Sequence, residues 1–473
     1  MLKEIILKNF KSYRDEVLPL APLTLMIGAN ASGKSNAIEA FRFLSWLAEG
    51  QKLSVLEHSI NDSDKIIRGR ISDLGYQKNK KFTLGCLIDN IHEWDKLEIS
   101  LEVRNEELSV LSNNELHIAQ EQIISNKNND PLYQISRKSI GFHTDIEVSY
   151  NDFIPSKTKP KINCTDQIAI MCQLESPATF SNNHQRSQKE IPQAISLFQD
   201  TLNNTLFLDP IPSLMRVDSL PSSKLHNNCS NLAGVLYFLW EFAKPYEKSE
   251  KFYSTPSRKR ALKGIYEIIN PHKDDNQKAI LLFIQSLPEQ EIIDLKFYKD
   301  PRRGLITLEL IESFGGKEKP CPIELLSDGT LRVLAIAAAI LSAPEGSTVI
   351  IEEVDNGIHP SRTKHLLKTM YQAATRRNIR LLLSTHNPAL MDAIPDKALG
   401  DVVFCYRDPD KGDSRLSRLS DLNNYAELIL QSSLGDLVTR GIVDRFIKNP
   451  VTPEERKQSA LKWLDKLNGN KDE

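Results

Sequence analysis

The sequence predicts an α/β fold, on three observations. First, the apolar run 23–27 leads through a glycine-containing turn, Gly28 to Gly33, into a segment whose apolar positions Ala37, Phe41 and Leu44 have helical spacing. Second, two short apolar runs, 348–351 and 380–383, flank the segment 361–377, which carries Leu366, Leu367, Met370, Tyr371 and Ala374 at helical spacing. Short uninterrupted apolar runs are what strands covered on both faces require. Third, residues 81–150 switch to period two: Phe82, Leu84, Cys86 and Ile88 alternate, and so do Leu97, Ile99, Leu101 and Val103. This is the pattern of antiparallel hairpins, so a β-rich lobe is expected within the α/β chain.

Bulk composition narrows the class. With 40% apolar and 26% charged residues, the 473-residue chain reads as globular, with roughly two to four domains. A net charge of −2 excludes a strongly basic protein, so any contact with DNA must come from a local patch. No apolar run reaches about 18 residues, and no membrane span is expected. Lys3, Glu4 and Lys8 interrupt the first ten residues, which lack the apolar core of a signal peptide. The six cysteines are scattered without a C-x-x-C pair. That favours a reducing, cytoplasmic setting and argues against a zinc site.

In chain order, Leu2 to Phe10, Val17 to Leu20 and 23–27 read as strands. Lys11, in the turn between the first two, reads equally as a nucleotide contact or as a surface lysine. Residues 51–81 are polar, and Arg68 and Gln77 read as loop residues or as nucleotide-lining ones. Residues 176–189 read as a polar linker, followed by a helix using Ile191, Ala194, Ile195, Phe198 and Leu202. Phe207-Leu208 is a strand that ends at Asp209-Pro210, and Ser230 is placed to cap a helix through Phe242. Helices are expected at 257–269 and 275–287, the first with a basic, solvated start at 257–260, and a hairpin at 291–311. Residues 402–419 read as a second hairpin, in preference to a nuclease metal site built from Asp408, Asp410 and Asp413. No internal repeat or heptad array stands out. The division expected is 1–85, 86–200 (the β-rich lobe and linker), 201–319 (a helical arm or insertion with a terminal hairpin), 320–405 and 406–473 (a hairpin and helical tail).

The chemistry sits in four places. Gly28-Ala29-Asn30-Ala31-Ser32-Gly33-Lys34-Ser35 fits the phosphate-binding P-loop, G-x-x-x-x-G-K-[ST], in the strand–turn–helix context that this loop needs. Its backbone N–H groups would cradle phosphate oxygens, with Asn36 in the first helical turn, while Lys34 reaches the β- and γ-phosphates of ATP and Ser35 holds Mg²⁺. Leu326-Ser327-Asp328-Gly329-Thr330 precedes an apolar helix; capping explains it as readily as anion binding does. The run 348–351 ends in Glu352 and Glu353. Paired acids closing a buried strand are costly unless they face a cation or ligand. Glu352 is therefore assigned to the Mg²⁺ shell, and Glu353 to polarising the attacking water. The run 380–383 ends in Ser384-Thr385-His386, which puts His386 at the strand end where open α/β sheets bind ligands.

This order of motifs resembles the ABC-class ATPases of the RecF, SMC and OLD group, and within it the stand-alone AAA-type ATPases of bacterial anti-phage systems such as Septu and PARIS. The resemblance rests on residues 1–48 and 320–395. It implies an ABC-type ATPase head with a β-rich lobe, a short helical arm and a small C-terminal helical piece. It implies a homodimer or higher oligomer in which Ser327, Asp328 and Gly329 of one subunit cap the γ-phosphate held by Lys34 of another. Glu353 and His386 would be the catalytic residues. Asp328 stands where such signatures often carry glycine, and Glu352 where aspartate is usual, so slow turnover is expected. Two functions follow: a sensor and scaffold controlling a separately encoded effector, expected to be a nuclease, or a RecF-like factor acting directly on DNA ends or gaps.

Overall fold

The structure, a computed structural model, describes residues 1–56, 66–89, 93–105, 114–125, 130–141, 143–155, 158–241, 273–285, 292–422 and 425–448. The expected helix at 257–269, its basic start, and the tail beyond 448 lie outside these residues.

Among the described residues, eleven strands form one sheet. Its order is β10 (Thr205–Leu208), β14 (Thr348–Ile351), β15 (Arg380–Ser384), β3 (Leu23–Ile27), β16 (Val403–Arg407), β17 (Ser414–Arg418), β2 (Tyr13–Pro19), β1 (Leu2–Phe10), β4 (Lys81–Ile88), β5 (Lys96–Asn105) and β6 (Asn114–Ile124). From β10 to β16 all pairings are parallel. β16 and β17 form an antiparallel hairpin, β17 meets β2 in parallel at Ser414 and Tyr13, and the rest is antiparallel.

The parallel half is covered on both faces, which explains its uninterrupted apolar runs. Met26, Ile350, Leu382 and Cys405 pack on one side with Ala37 and Phe41 of α1 (Lys34–Ala48) and Phe198 of α2 (Gln185–Asn203). Their neighbours Leu25, Ile351, Leu383 and Phe404 pack on the other side, with α3 (Leu232–Glu241), α4 (Lys273–Ile284), α5 (Asp328–Ser342) and α6 (Pro360–Arg376). The antiparallel half keeps the period-two pattern: Phe82, Leu84, Cys86 and Ile88 are core, while Lys81 is exposed.

Three local features differ from the sequence reading. β4 to β6 continue the P-loop sheet and do not form a lobe sheet of their own; only β7 (Tyr133–Arg137), β8 (Asp145–Tyr150) and β9 (Lys161–Thr165) stand as a separate three-stranded sheet. α2 starts at Gln185, inside the expected linker, because the polar first turn continues one amphipathic helix through Pro192. The expected hairpin is β11 (Ile292–Lys299) and β12 (Ile306–Phe314), with a third strand, β13 (Lys317–Pro322), beside it. Pro320 and Pro322 argue against a strand, but β13 is an edge, where a missing N–H costs nothing. Near the C-terminus the short helix Leu434–Thr439 docks on the segment after His386, with Gly435 N donating to Asp392 Oδ1 at 2.6 Å.

Candidate functional site

The parallel pairing sets β14, β15 and β3 side by side, pointing the same way. Their C-terminal ends therefore bring three distant stretches to one edge. β3 runs into Gly28, β14 into Glu352 and Glu353, and β15 into Thr385 and His386.

The loop after β3 needs its glycines. Gly28 has φ 144° and Gly33 φ 121°; a Cβ on the first would lie 2.0 Å from Cys405 O, and on the second 2.4 Å from Ser414 Oγ. The loop is held from behind by the β16–β17 hairpin and β2. Tyr13 OH donates to Gly33 O at 3.0 Å, Ser414 Oγ to Ser32 O at 2.5 Å, Cys405 Sγ to Ser32 O at 3.3 Å, and Arg407 Nε to Ala31 O at 3.1 Å. Loop carbonyls are thus engaged by protein donors, as an anion-binding loop requires. Ser32 Oγ is buried and has no hydrogen-bond partner among the described residues. Lys34 Nζ donates to Gly28 O at 2.6 Å and Ala29 O at 3.0 Å. Burial pulls its pKa below the ordinary lysine value, and Cys405 and Glu353 oppose that shift. A free buried hydroxyl, two glycines that let the loop pack against its backing hairpin and a lysine resting on the loop's own carbonyls together fit a phosphate group.

Two clefts flank the start of α1. One, of about 830 Å³, is shared by Ser35, Arg42, Asp209 and Glu352. Glu352 is partly exposed, 3.8 Å from Arg42 Nη2. Ser35 and the two carboxylates are hard oxygen donors of the kind Mg²⁺ takes. The other, of about 510 Å³, is lined by Lys11, Asn36, Arg68, Tyr76, Gln77, Arg407 and Lys411. Lys11 is no free surface lysine. Its ammonium is hydrogen-bonded to the buried Glu39 of α1 and donates to Arg68 O at 2.8 Å. Burial lowers its pKa, against the pull of Glu39. Asn36 Nδ2 donates to Ser12 Oγ at 2.8 Å.

Glu353 heads a tight turn, with φ 46°, and its carboxylate accepts from Asn356 Nδ2 at 2.7 Å. Thr385 Oγ1 donates to the buried Asp355 at 2.6 Å, which ties this turn to the end of β15, where His386 is exposed. Ser327 caps α5, its Oγ accepting from Thr330 N at 3.1 Å. Asp328 pairs with Arg216 at 2.6 Å, and a Cβ on Gly329 would fall 2.4 Å from Gly357 O. Among the described residues, the side chains of Ser327 and Asp328 bond to Thr330 and Arg216, and Gly329 lies close to Gly357 O. So Gly28 to Asn36, Glu352, Glu353 and His386 share one edge, and Ser327 and Asp328 are exposed at the start of α5, with Gly329 half-buried beside Gly357.

The sequence reading passed over two groups. Tyr13 from β2, and Cys405, Arg407 and Ser414 from far along the chain, back the loop and carry no local signal. Asp209 follows β10, whose Leu208 pairs with Ile351, so Asp209 lies alongside Glu352. Its signal was an acid directly after an apolar strand, the same signal that singled out Glu352.

The fold and the loop define a P-loop domain of the AAA type. More specifically, the chain belongs to the family described as "AAA domain, putative AbiEii toxin, Type IV TA system", which matches residues 23–108 and 196–392. The match takes in β3, α1, α5, β14 and β15, and omits β7 to β9 and the β16–β17 hairpin. A stretch of 73 residues is 38% identical to structural maintenance of chromosomes protein 1 of Arabidopsis thaliana, covering 14% of this chain and 6% of that protein. A stretch of 47 residues is 47% identical to the DNA replication and repair protein RecF of Cyanothece sp. (strain PCC 7425 / ATCC 29141), covering 10% of this chain and 12% of that one. Among solved structures, an Smc head bound to the C-winged helix domain of ScpA superposes with a TM-score of 0.46 at 14% identity, covering 88% of this chain and 97% of that one. The Smc head with an extended coiled coil from Pyrococcus furiosus gives 0.44 at 16% identity, over 91% and 98%. No helix among the described residues is long and apolar enough to cross a membrane.

Proposed function

We propose that this protein binds ATP with Mg²⁺ and hydrolyses it in a site completed by a second copy of the chain, and that this cycle controls a separately encoded effector, a nuclease. The observation that carries the enzymatic part is the convergence of the Gly28–Ser35 loop, Glu352, Glu353 and His386 on one sheet edge. Lys34 leaves its loop carbonyls for the β- and γ-phosphates. Ser35 and Glu352 hold Mg²⁺, with Asp209 beside them. The bound ion neutralises phosphate charge. Glu353 accepts a proton from the attacking water, and His386 faces the γ-phosphate end. Because the metal-side residues mark that end, the cleft lined by Lys11, Tyr76 and Arg407 takes the ribose and base.

The two-subunit part is supported by Ser327, Asp328 and Gly329, which stand clear of the loop. Leu325, directly before them, is 75% exposed, and Val217 and Leu220, next along the chain from Arg216, are exposed as well. Exposed apolar residues around a polar signature suit a homodimer or higher homo-oligomer. The effector role rests on the resemblance to stand-alone ATPases of anti-phage systems. The stretch similar to RecF favours a second reading, direct action on DNA.

The test replaces the proposed base. Glu353→Gln is expected to lower hydrolysis roughly 10²- to 10⁴-fold, to retain ATP, and to strengthen self-association by light scattering. Unchanged turnover and unchanged size would refute the reading. Binding to gapped DNA with ATP, weakening steeply with salt, would move the assignment to the second reading.

A further inference from the structure

Glu353 does not hold its place alone. A left-handed φ is uncommon for a residue with a side chain. The turn that imposes it is closed by Asn356 N donating to Glu353 O at 2.9 Å. It is pinned to β15 by Glu353 N and Val354 N, which donate to Ser384 Oγ and Ser384 O at 3.1 Å each. Within this turn Asn356 Nδ2 lies 2.7 Å from Glu353 Oε2. An ionised carboxylate only accepts, so the amide must present its nitrogen. One carboxylate oxygen is thereby fixed, and Oε1 is left to accept from another donor. The turn also rests on α5. Gly357, with φ 72°, places its carbonyl where a Cβ on Gly329 would fall, 2.4 Å away.

We propose that Asn356 is a positioning residue for hydrolysis: it holds Glu353 Oε2 so that Oε1 faces the attacking water, and the seat of Gly357 on Gly329 keeps it in register. This rests on Glu353 being the base, as read above. Among the described residues, the hydrogen bonds of Asn356 run to Glu353 and to none of Gly28 to Ser35, so its loss should act on the chemical step and not on nucleotide affinity.

The experiment compares kcat, KM and the affinity for a fluorescent ATP analogue in the full chain. The proteins are the wild type, Lys34→Ala, Asn356→Ala, Asn356→Asp, Asn356→Gln and Gly329→Ala, each checked by thermal unfolding. Asn356→Ala should lower kcat at least about tenfold with KM and affinity within about twofold, the signature of an interaction used only in the transition state. Asn356→Asp keeps the shape but loses the donor, and should be no better than alanine. Asn356→Gln keeps the donor on a longer arm, and should recover part of kcat. Gly329→Ala, which displaces the turn and also alters the signature proposed to cap the γ-phosphate, should lower kcat whatever its effect on affinity. Wild-type kcat in Asn356→Asp, or a matched loss of kcat and affinity in Asn356→Ala, would overturn the proposal and leave Asn356 as a shaper of the turn. If the wild type hydrolyses ATP no faster than Lys34→Ala, the ATPase reading fails and takes this proposal with it. If the wild type is active and Asn356→Ala is too, only the proposal fails.

Discussion

The two halves of the large sheet use carboxylates in opposite ways. In the parallel half, Asp209, Glu352 and Glu353 stand just past strand ends, and the first two line an open cleft. In the antiparallel half and the sheet beside it, Glu121 and Asp166 are wholly buried and surrounded by partners. Glu121, on β6, accepts from Ile170 N and Met171 N at 2.7 Å each and from Tyr133 OH at 2.9 Å. Asp166 pairs with His117 at 3.0 Å, accepts from Ser139 Oγ, and has Arg104 at 3.7 Å. A buried charge is tolerated when protein groups complete its hydrogen bonds. A carboxylate at an open strand end keeps acceptor positions for something else. Completeness of partners, more than residue type, separates the structural acids from the candidate functional ones.

The largest effect should come from breaking the parallel half where it makes its loop. Gly28→Ala puts a Cβ into Cys405 O and forces a left-handed φ on alanine, and the carbonyl it meets is strand backbone that cannot swing aside. A cost on the order of 3 kcal/mol is expected, with loss of nucleotide binding at a protein concentration where the wild type is saturated. Calorimetry and ATP titration check both. A variant that still binds ATP normally would mean that the loop is not held by β16 as described.

Asp209→Asn sharpens the same comparison with a smaller change. If Asp209 is an open-ended acid serving the metal shell of Ser35 and Glu352, its amide should raise the Mg²⁺ concentration for half-maximal turnover by roughly tenfold. The ATP affinity measured without Mg²⁺ should stay unchanged. An unchanged Mg²⁺ dependence would place Asp209 among the solvated acids.

These two positions also mark what the sequence discloses. Gly28, Lys34, Glu352, Glu353 and His386 were legible because each lies in a short local pattern, a constrained turn or a buried strand stopping in polar residues. The parallel strands were legible for the same reason, since burial on two faces leaves an unbroken apolar run. Asp209 carried the same strand-end signal as Glu352 but was not singled out, because what sets it beside Glu352 is the register of β10 against β14. The backing of the loop was invisible for a related reason: Cys405 reaches Ser32 across 373 positions. β13 was hidden by prolines that only an edge strand can carry. The proposed pairing of Ser327 to Gly329 with a second subunit is likewise a relation between surfaces and not a local pattern.

Glu121→Gln should leave turnover untouched while changing stability in a pH-dependent way. Burial raises the Glu121 pKa from its ordinary 4.5 to about 7, against the three hydrogen bonds that favour its charge. Between those values the folded chain keeps a proton that the unfolded chain releases, so stability falls as pH rises through this window. Glutamine mimics the protonated form at every pH. The stability of Glu121→Gln relative to wild type should therefore grow by about 2–3 kcal/mol from pH 5 to pH 8, most of it below pH 7. Denaturant unfolding at both pH values measures the difference, and using the difference cancels the groups that the two proteins share. If the gap stayed constant, the charge would not be confined by burial. If turnover fell alongside, Glu121 would belong with the open-ended acids, and completeness of partners would no longer separate the two classes.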